Sequence, residues 1–146
     1  CQKLFRVTDD PAHTFMAGLS MGGYGALKIA LREPDRFCAG VGLSSVTDIR
    51  SPYRKDFLSP IFGKGNYAPD EDDLFFLANN CAQNPNRPRL FMACGTEDGL
   101  YEENVRFRDT LNSLGYDLFY TEEHGTHNWE FWDKHIQGAL EWMLNN

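Results

Sequence analysis

The sequence predicts an α/β fold, a parallel sheet flanked by helices, and three observations carry that expectation. Four short apolar runs, "TFMA", "FCAGVGLSS", "RLFMACG" and "YDLFYTEE", have the length of strands. Segments with helical periodicity fall between and after them, in the order strand–helix–strand, excursion, strand–helix–strand–helix. Near-continuous apolar strands alternating with helices are the mark of a sheet covered on both faces. The chain also has 146 residues, 42% of them hydrophobic, enough for one domain of ordinary size with its own core.

"HTFMAG" is a short extended run that ends in glycine. In "MGGYGALKIALREP", Ala26, Leu27, Ala30 and Leu31 recur at helical spacing, and Pro34 supplies the stop. "FCAGVGLSS" is bounded by small residues and is expected to be a buried strand. An excursion then runs from about Ser45 to Pro88. It holds Pro52, Pro60, Gly63, Gly65 and Pro69, then an acidic "PDEDD" ahead of "LFFLANN". These signals predict an irregular insertion with one short helix near its end, either a lid or a variable surface excursion. "RLFMACG" is the third strand. "LYEENVRFRDTLNSLG" places Phe107, Leu111 and Leu114 on one helical face and closes at Gly115. "YDLFYTEE" alternates in part, as a half-buried strand does. "WEFWDKHIQGALEWML" puts Trp132, Ile136, Ala139, Leu140 and Met143 on one stripe. There are no internal repeats.

Composition removes several classes of function. The net charge is −7 and the 14 basic residues are scattered, so no clustered basic face exists for nucleic acid. No apolar run is long enough to span a bilayer. No signal peptide is visible, which gives cytoplasmic as the expected location, although this N-terminus need not be the natural one. Cys1, Cys38, Cys81 and Cys94 lack metal-ligand spacing, and no metal site is expected. Cys38 and Cys94 lie in apolar runs and read as buried small hydrophobes. A disulfide scaffold is not expected in a chain that can build a core.

One stretch asks for chemistry. In "FMAGLSMGGYGALKIAL" a single serine, Ser20, sits among Gly18, Gly22, Gly23 and Gly25. Gly18-Leu19-Ser20-Met21-Gly22 fits G-x-S-x-G, which between a strand and a helix puts the serine on a sharp, strained turn at the carboxyl end of the sheet. The flanking glycines are expected to remove side chains that would collide across that turn. A serine hydroxyl needs a base, and the base an orienting acid. In the fold that uses this elbow the chain order is serine, acid, histidine, each after a strand. Glu97 and Asp98 follow "RLFMAC", and His124 and His127 follow "DLFYTEE". His13 lies upstream of the serine strand. His135 falls on the last helix and reads as a half-exposed helix residue. The carboxylates at 122–123 and 70–73 read as solvated surface groups.

"AGLSMGGYGALKIAL", "CGTEDGLYEENVRF" and "HGTHNWEFWDKHI" together resemble a serine esterase family of the α/β-hydrolase fold. The family includes esterase D (S-formylglutathione hydrolase), tributyrin esterases and feruloyl or acetylxylan esterase domains. The likeness spans nearly the whole chain apart from the excursion, and is greatest to the tributyrin-esterase-like branch. It implies Ser20 as nucleophile, Asp98 as acid, His127 as base and the Met21 N–H as an oxyanion donor. Trp129 is then the tryptophan of the family's H-x-W element, and His124 and Glu97 are runners-up. Where the family usually reads "GTEDFLY", Gly99 stands here, which is expected to loosen the loop holding Asp98. The implied activity is hydrolysis of short-chain or aromatic acyl esters through an acyl-enzyme, with no metal or cofactor. Thioester hydrolysis, acyl transfer and a non-catalytic fragment acting by association are the alternatives. The expected partner is a small-molecule ester, with no nucleic acid and no membrane.

The second oxyanion donor of this fold comes from a loop well upstream of the nucleophile, yet thirteen residues precede Thr14, and "CQKLF" reads at most as the end of a helix. The chain is therefore expected to be the C-terminal part of such a domain, lacking its N-terminal strands. The serine strand would then show a free edge, completed by a missing N-terminal segment or by self-association. Tyr53, Phe57, Phe62, Tyr67 and Phe75 of the excursion are expected to shape the acyl or alcohol pocket, with Phe75 and Phe76 leaning toward core instead.

Overall fold

The computed structural model describes residues 7–63 and 68–145. Expectations about Cys1, "CQKLF", Gly65 and Tyr67 lie outside the described residues. The elements are β1 (Phe15–Leu19), α1 (Ser20–Arg32), β2 (Ala39–Leu43), α2 (Lys55–Phe62), α3 (Leu74–Cys81), β3 (Arg89–Gly95), α4 (Tyr101–Ser113), β4 (Leu118–Glu123) and α5 (Trp129–Leu144). The four strands form one parallel sheet in the order β1-β2-β3-β4. Phe15 pairs with Ala39, Ala39 with Arg89 and Leu90 with Leu118.

The central strands β2 and β3 are buried almost throughout because both faces are covered, while the edge strand β4, Leu118–Glu123, is only half-buried. Leu90 and Met92 of β3 pack with Leu27, Leu31, Leu74, Phe107 and Leu111, the inward faces of α1, α3 and α4. Phe91 and Ala93, one residue out of phase, pack with Val41, Leu43, Phe131, Trp132, Ala139 and Met143 on the α5 side. That is the two-residue alternation of a strand written in two separate cores. β2 shows why its sequence is "AGVGL". A Cβ added at Gly42 would lie 2.9 Å from Leu27 Cδ1, and one at Gly40 would lie 3.0 Å from the Ala30 Cβ. Glycine there lets α1 lie close on the sheet. Helix α4 ends in a Schellman motif: Gly115 has φ 71°, Gly115 N–H donates to Asn112 O and Tyr116 N–H to Leu111 O.

The excursion is more ordered than its sequence suggests. It holds two helices, α2 as well as α3, with 3₁₀ turns at Pro52–Arg54 and Asp70–Asp72. Pro60 hides α2, because an interior proline lacks the N–H that would bond four residues back. Here the Ser59 hydroxyl donates to the orphaned Asp56 carbonyl at 3.0 Å, and the turn survives. Val46, Ile49, Leu58 and Ala68 form a small core of its own, against which Phe62 packs. The 70–73 run is not simply solvated either. Asp72 pairs with Lys28 of α1, Asp70 and Asp73 hold Arg50 at 2.6 and 2.9 Å, and Asp73 caps α3 through Phe75 N–H. The run lies where the excursion returns to α1, so its charges find partners.

Other expectations need local correction. Phe75 meets Phe107 edge-on at 5.1 Å, as core, but Phe76 is exposed, because one residue along a helix turns the side chain away by about 100°. Leu140 is also exposed and Phe131 takes its place in the α5 core. Cys94 is buried and Cys38 only partly so, its thiol at the foot of the sheet donating to Ala12 O at 3.1 Å. Among the described residues β1 is an edge strand, and Trp129, Trp132 and Ile136 of α5 line an apolar groove beside its Ala17–Leu19. No helix among the described residues is long and apolar enough to cross a membrane.

Phe107 is fully buried, so Phe107→Ala is expected to lower stability by about 3–5 kcal/mol. Urea unfolding followed by circular dichroism measures it. The exposed Phe57, changed to Ala, is expected to stay within about 0.5 kcal/mol.

Candidate active site

Strand β1 ends at Leu19 and α1 begins at Ser20, with no residue between them. Ser20 makes that turn alone, at φ 53°, in the left-handed region where a side chain costs roughly 1–2 kcal/mol. Its carbonyl is pinned by Val46 N–H at 3.1 Å. The turn is possible because two positions carry no side chain. A Cβ at Gly18 would lie 2.2 Å from the Gly22 carbonyl oxygen, and one at Gly23 would lie 2.2 Å from Ser45 Oγ. Gly22 itself faces open space, so the crowded downstream glycine is Gly23 and not the Gly22 of the motif.

His127 lies between β4 and α5, and its loop is stopped by Asn128, whose side chain caps α5 through Phe131 N–H at 3.0 Å. The imidazole Nε2 is 2.9 Å from Ser20 Oγ, and Nδ1 is 2.8 Å from Asp98 Oδ2. With Asp98 ionised, Nδ1–H donates to it and Nε2 is left to accept from the serine hydroxyl. The Asp98 side chain is 0% exposed against 36% for His127. Its other oxygen accepts from Leu100 N–H at 2.9 Å, so the carboxylate is fixed before it meets the ring. A buried carboxylate beside an imidazole holds one tautomer and steadies the imidazolium. Met21 follows Ser20 in the first turn of α1, where amide N–H groups have no partner within the helix.

The runners-up pair with one another instead. Glu97 Oε1 is 2.5 Å from His124 Nδ1, and Glu97 Oε2 accepts from Gly125 N–H at 2.7 Å. That amide, with smaller help from Thr96 and His124, holds the Glu97 carboxyl below the usual carboxylate range. The remaining histidines lie elsewhere: His13 pairs with Asp10 on the surface, and the partly buried His135 pairs with Glu123 at 3.0 Å. Glu123 also takes Lys134, which, ahead of His135, holds its carboxyl low, so it is a paired group and not a bare surface charge. Gly99 leaves open space next to Asp98, and the loop is held by its own bonds from Asp98 N–H to Gly95 O and from Tyr101 N–H to Asp98 O.

Three neighbours of the site give little sign in the sequence. Trp132 meets the His127 ring edge-on at 4.8 Å, and the exposed Trp129 in turn meets Trp132 edge-on at 5.3 Å. Their i, i+3 spacing on α5 was the available signal. Glu103 of α4 is buried, accepts from Thr47 N–H at 2.8 Å and binds Arg54 at 2.8 Å, tying the start of the excursion to the acid loop. Cys94, buried in β3, has its thiol pushed up to about 12 by burial and then by the Asp98 charge, so it stays protonated. A cavity of about 560 Å³ opens over Ser20 and His127, walled by Met21, Val46, Tyr53 and Phe57. Among the excursion aromatics, then, Tyr53 and Phe57 face the site, while Phe62 and Phe75 pack inward. The described residues hold no cluster of three His, Cys, Asp or Glu side chains placed to bind a metal ion.

Gly18→Ala is expected to slow modification of Ser20 by a fluorophosphonate on the order of 10²-fold, because its Cβ must push the elbow out of register. Gly22→Ala is expected to leave the rate near that of the parent. Labelling followed by mass spectrometry reads both.

The family described as "Putative esterase" matches residues 2–143. An acetyl esterase from Caldicellulosiruptor saccharolyticus is 35% identical over 155 residues, covering 97% of this chain and 58% of that protein. Of the solved structures, the fluorophosphonate-binding serine hydrolase FphF of Staphylococcus aureus superposes with a TM-score of 0.84 at 29% identity, covering 99% of this chain and 59% of that one. The S-formylglutathione hydrolase FrmB of the same organism gives 0.79 at 29% identity, over 97% and 55%. The chain thus spans a little over half the length of these relatives, and its sheet with flanking helices is of the α/β-hydrolase type. Through residues 2–143, the chain belongs to this esterase family.

Proposed function

We propose that the chain carries the nucleophilic centre of a serine carboxylesterase acting on short-chain or aromatic acyl esters. One observation carries the reading: the Ser20 hydroxyl, the His127 imidazole and the buried Asp98 carboxylate form an unbroken hydrogen-bonded line, 2.9 and 2.8 Å. His127 Nε2 takes the hydroxyl proton as Ser20 Oγ attacks the ester carbonyl carbon. The Met21 N–H donates to the oxyanion that develops. His127 then returns the proton to the leaving alcohol as the C–O bond breaks, leaving an acyl-serine. Water, deprotonated by the same imidazole, attacks the acyl-serine, and the acid and free serine are released. The Tyr53, Phe57, Val46 and Met21 wall supports an apolar acyl or alcohol group beside Ser20. Similarity to an acetyl esterase supports ester hydrolysis, and similarity to an S-formylglutathione hydrolase supports thioester hydrolysis as the second reading, through the same three side chains.

The edge position of β1 among the described residues and the apolar groove beside it support a further part of the reading. The sheet is completed by another strand, supplied by a longer chain or by a second copy.

Ser20→Ala is expected to reduce p-nitrophenyl acetate hydrolysis to background, and Asp98→Asn to lower kcat roughly 10⁴-fold. A complete protein in which Ser20 resists fluorophosphonate would end the esterase reading. Release of free acid without added alcohol separates hydrolysis from acyl transfer, and a thioester panel separates the second reading. Light scattering of the 146-residue chain is expected to give a mass above that of one copy; a clean monomer would count against self-pairing through β1.

A further inference from the structure

The two loops that meet at the site are continuations of neighbouring parallel strands. β3 and β4 pair as far as Gly95 and Glu123, and the ladder runs on past the strands: Thr96 N–H donates to Glu123 O at 2.9 Å and Glu97 N–H to Gly125 O at 3.1 Å. The Glu97 carboxylate then takes the Gly125 N–H at 2.7 Å. Both backbone polar groups of Gly125 are therefore bound by the same residue. The contact is tight from two sides. A Cβ on Gly95 would lie 2.1 Å from Gly125 O, and one on Gly125 would lie 2.5 Å from Phe131 Cδ2. Two residues beyond Gly125 is His127. One residue beyond Glu97 is Asp98. Adjacent carboxylates thus grip one loop at two heights, Glu97 at its base and Asp98 at the imidazole.

We propose that Glu97 is a positioning residue, which acts through the Gly125 amide to hold His127 Nε2 within hydrogen-bond reach of Ser20. The inference rests on the hydrolytic reading above and assigns to its site a member that the Ser20–His127–Asp98 line does not contain. The amide, and not His124, transmits the effect. The His124 side chain is 97% exposed, and an ion pair that open to water fixes little. The Gly125 N–H belongs to the loop backbone, so any drift there moves the segment that carries His127. Loss of geometry in a hydrogen-bonded catalytic line lowers turnover with little effect on ground-state binding.

The test compares Glu97→Ala, Glu97→Gln and His124→Ala in the full chain. Glu97→Ala is expected to lower kcat for p-nitrophenyl acetate on the order of tenfold with KM nearly unchanged. It is expected to slow Ser20 phosphonylation equally. Glu97→Gln, whose amide oxygen still accepts from Gly125, is expected to recover most of the rate, and His124→Ala to match the parent. Parent-like kinetics in Glu97→Ala, or no recovery in Glu97→Gln, overturns the proposal. If the parent chain neither turns over ester nor takes the label, the esterase reading itself fails, and the His127 Hε1 resonance decides the positioning role alone. A resonance displaced in Glu97→Ala and restored in Glu97→Gln sustains it; one unmoved in Glu97→Ala refutes it.

Discussion

The site depends on one contact of backbone against backbone, the passage of β1 into α1 within a single residue. Gly18 and the Gly22 carbonyl approach so closely that no side chain fits between them, and Ser20 takes up the left-handed conformation that results. That strain is held from outside, by Val46 N–H on the Ser20 carbonyl and by Gly23 lying against Ser45. A serine on an ordinary first turn would be free to pick its rotamer against solvent. Here the backbone has already aimed the hydroxyl at the sheet's carboxyl rim, and the imidazole has only to arrive there.

The arrival is governed by how charge is buried. Asp98 and Glu97 are neighbours in the chain, yet one side chain is sealed and the other lies at the surface. Asp98 can be sealed because each of its oxygens has a donor, Leu100 N–H and the His127 ring; a buried carboxylate with an unmet oxygen would be costly. Glu103 follows the same rule nearby, using Thr47 N–H and Arg54, and so joins the acid loop to the root of the excursion. The buried thiol of Cys94 lies nearby, its titration pushed up first by burial and then by the Asp98 charge.

Much of this was legible in the sequence because it is periodic or local. The four strands, α1, α4 and α5 follow from apolar spacing and from stops such as Gly115. Helix α2 was not legible, since Pro60 is a valid reason to end a helix and its rescue by Ser59 is a matter of side-chain geometry. The acid run at 70–73 looked solvated because its partners Lys28 and Arg50 are distant in sequence. Position along the chain left Glu97 and Asp98, and His124 and His127, equivalent as candidates. Resemblance to the esterase family chose between them, and the geometry brings Asp98 and His127 to Ser20 while Glu97 and His124 pair with each other at the surface. The apolar stripe placed Trp132 on the inward face of α5, but spacing alone does not say that its ring touches the imidazole.

Because the strands lie side by side in chain order and all run the same way, their carboxyl ends form a row with one task apiece. β1 delivers the hydroxyl, β2 releases the excursion, β3 delivers the carboxylate and β4 the imidazole. The excursion has its own small core and leaves and rejoins the sheet between β2 and β3. It is nonetheless built into the rest: α3 shares the core beneath α1 and α4, Val46 holds the Ser20 carbonyl, and the same segment carries Tyr53 and Phe57 over Ser20, so the wall of the cavity and the set of the elbow are coupled through one stretch of chain.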